Sequence, residues 1–515
     1  MLGTSASSRK AWLFAFAALS FPLIVSCARK AAPPAASEPA AQPGAEAGPV
    51  SSPDQPPAAS PTVALPTAFG RHTGDLDEMV KRRNIRALVV LNPIGFFYVN
   101  GQPKGAIYEA LTEFQKFVNA KLKTGSLPIT VTFIPVRVDQ VEAALLQGVG
   151  DVVANGVVIT PEREKRAAFS VPFLTNVKQI VVTGPGLANV NTLADLGGKE
   201  VYVNPLTTYY ANLQKANDQL KAAGQAPMVV KAADTNLTED DLIQMVNAGL
   251  LPATVTTDQR AALWGQVLDH LQAHPAIVVS SGEQLAWVMR KDNPHFKQLV
   301  DEFVPSHAQG TTFGNTLLKR YLHNTKWVTN STSGEEMRKF QSNLALFKKY
   351  AGEYDFDYLM IAAQGYQESL LDQSKRNPSG AVGIMQVIPK YAAAKPINVP
   401  NVMDTDGNIH AGVKMLRNIE DNYFNDPKID RLNKTLFVFA GYNAGQNRIG
   451  RLRKEAAAEG LDPNVWFDNV ELVAAKDIGQ ETVTYVANIY KYYVAYKLAL
   501  QNHQDQQQAT GLPSK

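Results

Sequence analysis

Glu368 closes an apolar helical run in the stretch YQESLLDQSKRNPSGAVGIMQ (366–386), and a loop of small residues follows it at once. A carboxyl on the buried side of a helix, near its carboxyl end, meets two effects of the same sign. The helix's negative pole disfavours its charge, and partial burial disfavours it again. Both raise the pKa toward neutrality, where a carboxylic acid serves as a general acid. Asp372, four residues on, admits two readings. One helical turn would align it with Glu368 as the second carboxylate of a glycosidase pair, or a helix ending near Leu371 would leave it in the loop. Other chemistries are poorly supplied. The eight histidines are scattered with no HExxH, and no GxxxxGK[ST] occurs, so neither a metal nor a nucleotide cofactor is expected. A net charge of +3 with no Lys/Arg block interleaved with aromatics gives no reason to expect a nucleic-acid partner.

At 515 residues the chain exceeds one ordinary core, and two or three domains are expected. Around Glu368 the patterns are helical: 335–352, 356–371 with Leu359, Ala363, Tyr366 and Leu370 on one stripe, 409–424, 433–443 and 481–500. They predict a mainly α domain over 335–500 and a disordered tail over 501–515. Upstream, strand patterns at 86–93, 129–136, 151–159, 178–184, 198–204, 226–232 and 251–257 alternate with helices at 105–122 and 138–148. This predicts a two-lobed α/β module over 67–305 with a cleft between its lobes. The connector 306–334 carries Phe313, Leu317, Leu318, Tyr321 and Trp327, too many apolar groups for a free linker. At the start, Arg9 and Lys10 precede AWLFAFAALSFPLIV, the pattern of a signal peptide over 1–26. Cys27 is the single cysteine, so no intramolecular disulfide can form. Residues 27–66 are Ala/Pro-rich and read as a disordered tether, able to reach on the order of 100 Å at about 3.1 Å per residue.

The tetrad Ile24-Val25-Ser26-Cys27 resembles the bacterial lipobox. The resemblance implies acylation of Cys27, and Ala28 in place of Asp implies anchorage to the outer membrane, facing the periplasm. DVVANGVVITPEREKRAAFSVPF resembles the extracellular solute-binding family that recognises amino acids, over about 76–305. It implies that Arg163 grips a ligand carboxylate bidentately, that Asp258 receives the ligand's amino group, and that Phe97 or Tyr98 forms an aromatic wall. The ligand would be a small amino acid or a muropeptide. Two positions depart from the family pattern: Val158 where a Thr is common, and Glu109 where Asp is usual. The alternative for Arg163 is a turn arginine paired with Glu162 or Glu164.

Four ordered motifs carry a second resemblance: Glu368-Ser369, Gly380-Ala381-x-Gly383-Ile384-Met385-Gln386, Tyr442-Asn443-Ala444-Gly445, and Glu481-Thr482-x-x-Tyr485-Val486. Their order and spacing resemble the family 1 lytic transglycosylases, whose domain is similar to goose-type lysozyme, over about 340–500. The implied architecture is a periplasmic-binding-protein-like α/β module followed by a lysozyme-like helical domain. The implied catalytic acid and base is Glu368, with Met385 and Gln386 lining a saccharide cleft, Tyr442 and Asn443 facing the sugar, and Glu481 supporting the site. Ser369 and Asn377 join the implied substrate contacts. Asn377 stands where a Ser is common, and Gln373 where a Pro is common. The implied reaction cleaves the bond between N-acetylmuramic acid and N-acetylglucosamine of peptidoglycan, with attack by the muramyl 6-hydroxyl giving a 1,6-anhydro end. The alternatives are a lysozyme-type hydrolase and a non-catalytic binding lipoprotein. Ligand closure of the two lobes is a candidate regulator of the cleft.

Overall fold

The structure is a computed structural model that describes residues 70–510 apart from 93, 100–101, 188, 309–310 and 315–328, with side chains described as far as residue 501. The signal sequence, Cys27 and the Ala/Pro-rich stretch lie outside the described residues, as do Leu317, Leu318, Tyr321 and Trp327 of the connector.

Eleven strands form among the described residues: β1 (Asn84–Val89), β2 (Phe97–Val99), β3 (Gln102–Lys104), β4 (Thr130–Pro135), β5 (Val152–Val158), β6 (Ala168–Phe169), β7 (Leu174–Thr183), β8 (Glu200–Val203), β9 (Val229–Ala232), β10 (Ala253–Thr257) and β11 (Gln272–Met289). All but the hairpin β2-β3 belong to one sheet, in the order β4-β1-β5-β11-β7-β10-β8-β9, with β6 beside β11. The pairs β1-β4, β1-β5, β10-β8 and β8-β9 are parallel, which requires crossover helices that bury both sheet faces. The residues of β1 obey this: all but Asn84 are buried. The first lobe packs Leu88, Ile134, Leu145, Val153 and Val288 on one such face, and the second packs Val181, Val201, Leu213, Leu220 and Val255. The two lobes meet along the long antiparallel pair β7-β11, so they share one continuous sheet instead of two. An Asp151 carboxylate with no exposure ties the first lobe together: Arg86 approaches it at 2.7 Å, Arg290 at 3.4 Å, and Arg82 also pairs with it.

The helical domain contains Gly334–Glu353, Tyr358–Ser369, Thr405–Ile419, Arg431–Ala444, Gln446–Ala458, Glu471–Ile478 and Gln480–Thr510. Asp357, Asp404 and Asp430 each cap a helix by accepting a backbone N–H. Two helices are buried on every side over their middle turns and are therefore central. In Arg431–Ala444, Leu436 to Ala440 are fully buried. In Tyr358–Ser369, every residue from Leu359 to Tyr366 is buried, wider than the single stripe expected. The tail expected to be disordered from residue 501 instead continues the last helix to Thr510.

That last helix also joins the domain to the module. Lys491, 4% exposed, pairs with Asp241 of the second lobe at 2.7 Å, and Tyr490 donates to Asp234 at 2.8 Å. One apolar core runs across the junction, from Leu237 and Met245 to Phe467 and Tyr490. Removing the cation while keeping the stem leaves Asp241 uncompensated in a desolvated place. Lys491→Met is expected to lower stability by about 3 kcal/mol in denaturant unfolding. A loss near zero would show that the junction does not rest on this pair.

Candidate active site

The helix Tyr358–Ser369 ends within two residues of Glu368. Leu370 (φ 60°) and Leu371 (φ 57°) both take the left-handed conformation that glycine adopts without strain. Leu371 is 4% exposed, and its buried side chain holds the reversal in place. Ser369 is buried, its hydroxyl within reach of the Gly365 carbonyl at 3.1 Å and the Ile384 carbonyl at 3.0 Å, and it accepts from the Asp372 N–H at 3.1 Å. It therefore fastens the loop to the helix. Asp372 lies past the helix end and accepts from the Ser374 N–H and hydroxyl at 2.8 and 2.6 Å. Those bonds hold its pKa below the usual carboxylate range, and Asp372 is a turn residue, not the second member of a pair.

Burial pushes the Glu368 carboxyl up to about 7, against the opposing pull of a hydrogen bond from the Tyr485 hydroxyl at 2.6 Å. No neighbouring carboxylate contributes to that shift among the described residues. Tyr485 in turn receives a bond from the Gln364 amide at 3.2 Å, and Gln364 is fully buried. Burial, then the charge of Glu368, raises the phenols of Tyr485 and Tyr442, so both stay protonated donors. The site thus holds one enclosed carboxyl that titrates near neutrality beside two tyrosines.

The loop after Glu368 is pinned by amides. The Gln373 side-chain N–H₂ faces the carbonyls of Val402, Met403 and Asp404 at 3.3, 3.2 and 3.2 Å, while its oxygen accepts from Ile384 at 3.1 Å. Asn408, fully buried on Thr405–Ile419, accepts from the Met385 N–H at 2.8 Å and donates to the Val382 carbonyl at 2.9 Å. A side chain at Gly383 (φ 75°) would meet Asn408 Nδ2 at 2.4 Å, so that turn requires glycine. Sequence reasoning missed Asn408; its only signal was a polar residue on the apolar side of a helix.

The expected cleft residues divide. Met385 has no exposed surface and packs on Gly412, so its side chain belongs to the core and not to a cleft wall; its carbonyl accepts from the Tyr442 hydroxyl at 2.8 Å. Gln386 is half-buried at φ 46° and donates to the Gly383 carbonyl at 2.8 Å. Asn377 is exposed and accepts from the Ser379 N–H at 3.1 Å, shaping the loop tip. Asn443 is exposed and accepts from the Thr482 hydroxyl at 2.8 Å, whereas Glu481 is exposed on the first turn of the last helix. Thr482, not Glu481, makes that link across to Asn443.

In the module, Arg163 is half-buried and donates to the Val158 carbonyl at 3.0 Å. Among the described residues it forms no ion pair with Glu162 or Glu164; the pair nearby is Arg166 with Glu142. Asp258 opens the helix Asp258–Trp264 and accepts from the Lys178 N–H at 3.2 Å. Tyr98 does not form a cleft wall. It is 8% exposed, packs edge-on against Phe96 at 5.4 Å, and burial with the charge of Glu459 pushes its phenol up to about 12. Glu459 ends the helix Gln446–Ala458, so Tyr98 faces the helical domain; on a strand the alternate residue, Phe97, points the other way.

Comparison with known proteins agrees with this division. The bacterial extracellular solute-binding proteins, family 3, match residues 89–323, and the transglycosylase SLT domain matches residues 345–464. The chain is 27% identical over 395 residues to a membrane-bound lytic murein transglycosylase F of Desulfosudis oleivorans, covering 73% of this chain and 83% of that protein. It is 25% identical over 425 residues to the protein of the same name from Shewanella halifaxensis, covering 77% and 82%. Tyr485, which holds Glu368, lies beyond the matched domain range.

A pKa raised by folding has a thermodynamic sign. The folded state keeps the Glu368 proton from the ordinary value of 4.5 up to about 7, so stability falls as pH rises through that window. Glu368→Gln removes the penalty. Urea unfolding is expected to find the variant about 2 kcal/mol more stable than wild type at pH 8, with partial solvation discounted, and no more stable at pH 4.

Proposed function

We propose that this chain, which joins a family 3 solute-binding module to a transglycosylase SLT domain and is similar over most of its length to membrane-bound lytic murein transglycosylase F of other bacteria, is a peptidoglycan lytic transglycosylase. The observation that carries the reading is the solitary carboxyl. A glycosidase of the usual kind needs two carboxylates about 5 to 9 Å apart. Among the described residues no carboxylate neighbour perturbs Glu368, and Asp372 is committed to its turn. One group must then give and take the proton. At neutral pH Glu368 is partly protonated and can protonate the glycosidic oxygen between N-acetylmuramic acid and N-acetylglucosamine. The resulting carboxylate, still bonded to Tyr485, can draw the proton from the muramyl 6-hydroxyl as that oxygen attacks C1. The bond that breaks is C1 to the leaving oxygen, the bond that forms is C1 to O6, and no water is consumed. An attacking group within the same sugar ring has a large effective concentration over solvent.

The module is read as a receptor for a small amino acid or peptide, with Arg163 for a carboxylate and Asp258 for an amino group. The location is read as the periplasmic face of the outer membrane, through acylation of Cys27 followed by Ala28; this rests on the sequence tetrad. Among the described residues no helix is long and apolar enough to cross a membrane.

Digestion of purified sacculi followed by mass spectrometry tests the reaction. The expected fragments end in 1,6-anhydromuramic acid, lighter by one water than reducing-end products, and Glu368→Gln is expected to slow their release by about 10²- to 10⁴-fold. Reducing ends would make the enzyme a hydrolase, and undiminished cleavage by the variant would leave Glu368 without its role. Tyr485→Phe removes the bond that lowers the Glu368 pKa, so the alkaline fall in activity, near pH 7 in the wild type, is expected to move to higher pH. A purely structural Tyr485 would lower the rate at every pH and leave that midpoint in place.

A further inference from the structure

Gln364 stands one turn before Glu368 on the same face of the helix Tyr358–Ser369. It is fully buried and follows five buried apolar residues, Leu359 to Ala363. The Tyr485 hydroxyl spans the two rungs: it receives the Gln364 amide N–H at 3.2 Å and donates to Glu368 Oε1 at 2.6 Å. The other end of the amide is unsatisfied. Gln364 Oε1 is buried and has no hydrogen-bond partner among the described residues. A buried carbonyl oxygen left unpaired costs stability, and an apolar side chain of similar length would fill the same place without that cost.

What the amide supplies is direction. A phenol has one proton and can aim it at either of two acceptors. With the amide turned over, its oxygen would take the Tyr485 proton, and Glu368 Oε1 would face a phenol lone pair. The carboxyl could then meet Tyr485 only by carrying its own proton on Oε1. With the N–H toward Tyr485, the phenol oxygen is occupied as an acceptor, and its proton is left for Oε1. Each donor in such a chain strengthens the next. Oε1 is then an acceptor whether Glu368 is charged or not, and the transferable proton is left for Oε2, which accepts no hydrogen bond among the described residues. The other titratable group beside Glu368 does not compete for this role. Tyr442, on the helix Arg431–Ala444, gives its proton to the Met385 carbonyl at 2.8 Å, and among the described residues no Lys, Arg or His adds to the Glu368 shift.

We propose that Gln364 is a positioning residue for the transglycosylation: through Tyr485 it confines the transferable proton of Glu368 to Oε2, the oxygen left for substrate. This rests on reading Glu368 as the catalytic acid and base. In the first half of the reaction Oε2–H gives its proton to the glycosidic oxygen as the C1 bond to that oxygen breaks. In the second half Oε2 takes the proton of the muramyl 6-hydroxyl as O6 bonds to C1, while Oε1 stays bonded to Tyr485. Without the amide N–H the phenol proton is free to turn away, Tyr485 is a weaker donor, and the carboxylate formed between the two halves is less stabilised.

Gln364→Met and Gln364→Leu remove the N–H and keep the site apolar. Cleavage of purified sacculi across a pH range that brackets the wild-type midpoint near 7 is expected to place the alkaline midpoint of both variants above it. Urea unfolding is expected to find both no less stable than wild type at acid pH, since the unpaired oxygen is gone. In the Tyr485→Phe background the same substitutions are expected to leave the midpoint unmoved and the rate within about twofold at every pH, because Gln364 then has nothing to act through. A midpoint unmoved in the single variants overturns the inference, and so does an equal shift in both backgrounds. Loss of folding in both apolar variants overturns it as well, since the amide would then be a structural group. Each of these outcomes leaves the reaction standing, because product mass and Glu368→Gln decide that separately; full cleavage by Glu368→Gln removes both.

Discussion

The molecule turns on one carboxyl that must be enclosed and yet retain its proton near neutral pH. Burial raises the Glu368 pKa, and a single hydrogen bond from Tyr485 keeps it from rising further. Two demands follow. The helix that bears Glu368 must give way at once to the loop beside it, and two successive left-handed leucines end it. The donor must also come from an element far away in sequence, here the last helix, so the acid is tuned only when the whole helical domain has closed.

Closure is enforced mostly by amides and not by ion pairs. Gln373 and Asn408 each reach two or more groups, and Gln364 donates to Tyr485. A neutral amide suits this work: it fixes geometry at both a donor and an acceptor without adding a charge that would shift Glu368. Gln373, which departs from the residue common at that place, spans three carbonyls of the segment 402–404 and one N–H of the loop. Proline at that place has no side-chain amide with which to make these bonds.

The sequence was most readable where one period dominated. The strands of both lobes and the helices around Glu368 appear close to where apolar spacing put them, and the acid's raised pKa follows from its place at a buried helix end. Helices such as Gln446–Ala458 escaped notice because only Ile449, Leu452 and Ala456 are buried in an otherwise polar run, too sparse a stripe to stand out. Side-chain direction was the weaker reading. A strand told that Phe97 and Tyr98 point oppositely but not which one meets the helical domain, since that depends on packing from residues hundreds of positions later. The buried side chain of Met385 escaped for a similar reason: whether a loop residue lines a cleft or plugs the core is set by Asn408, Gly383 and Gly412, which no local pattern links to it.

The last helix has a consequence for how the two halves can be handled. Tyr485 on one of its turns touches the acid, and Tyr490 and Lys491, five and six residues later, touch the module. At about 1.5 Å of rise per residue those contacts are less than about 10 Å apart along one stiff rod. The halves look like interchangeable beads on a string when the chain is written out. In space they share an axle: the rod that sets Tyr485 against Glu368 rests its next turn on the module.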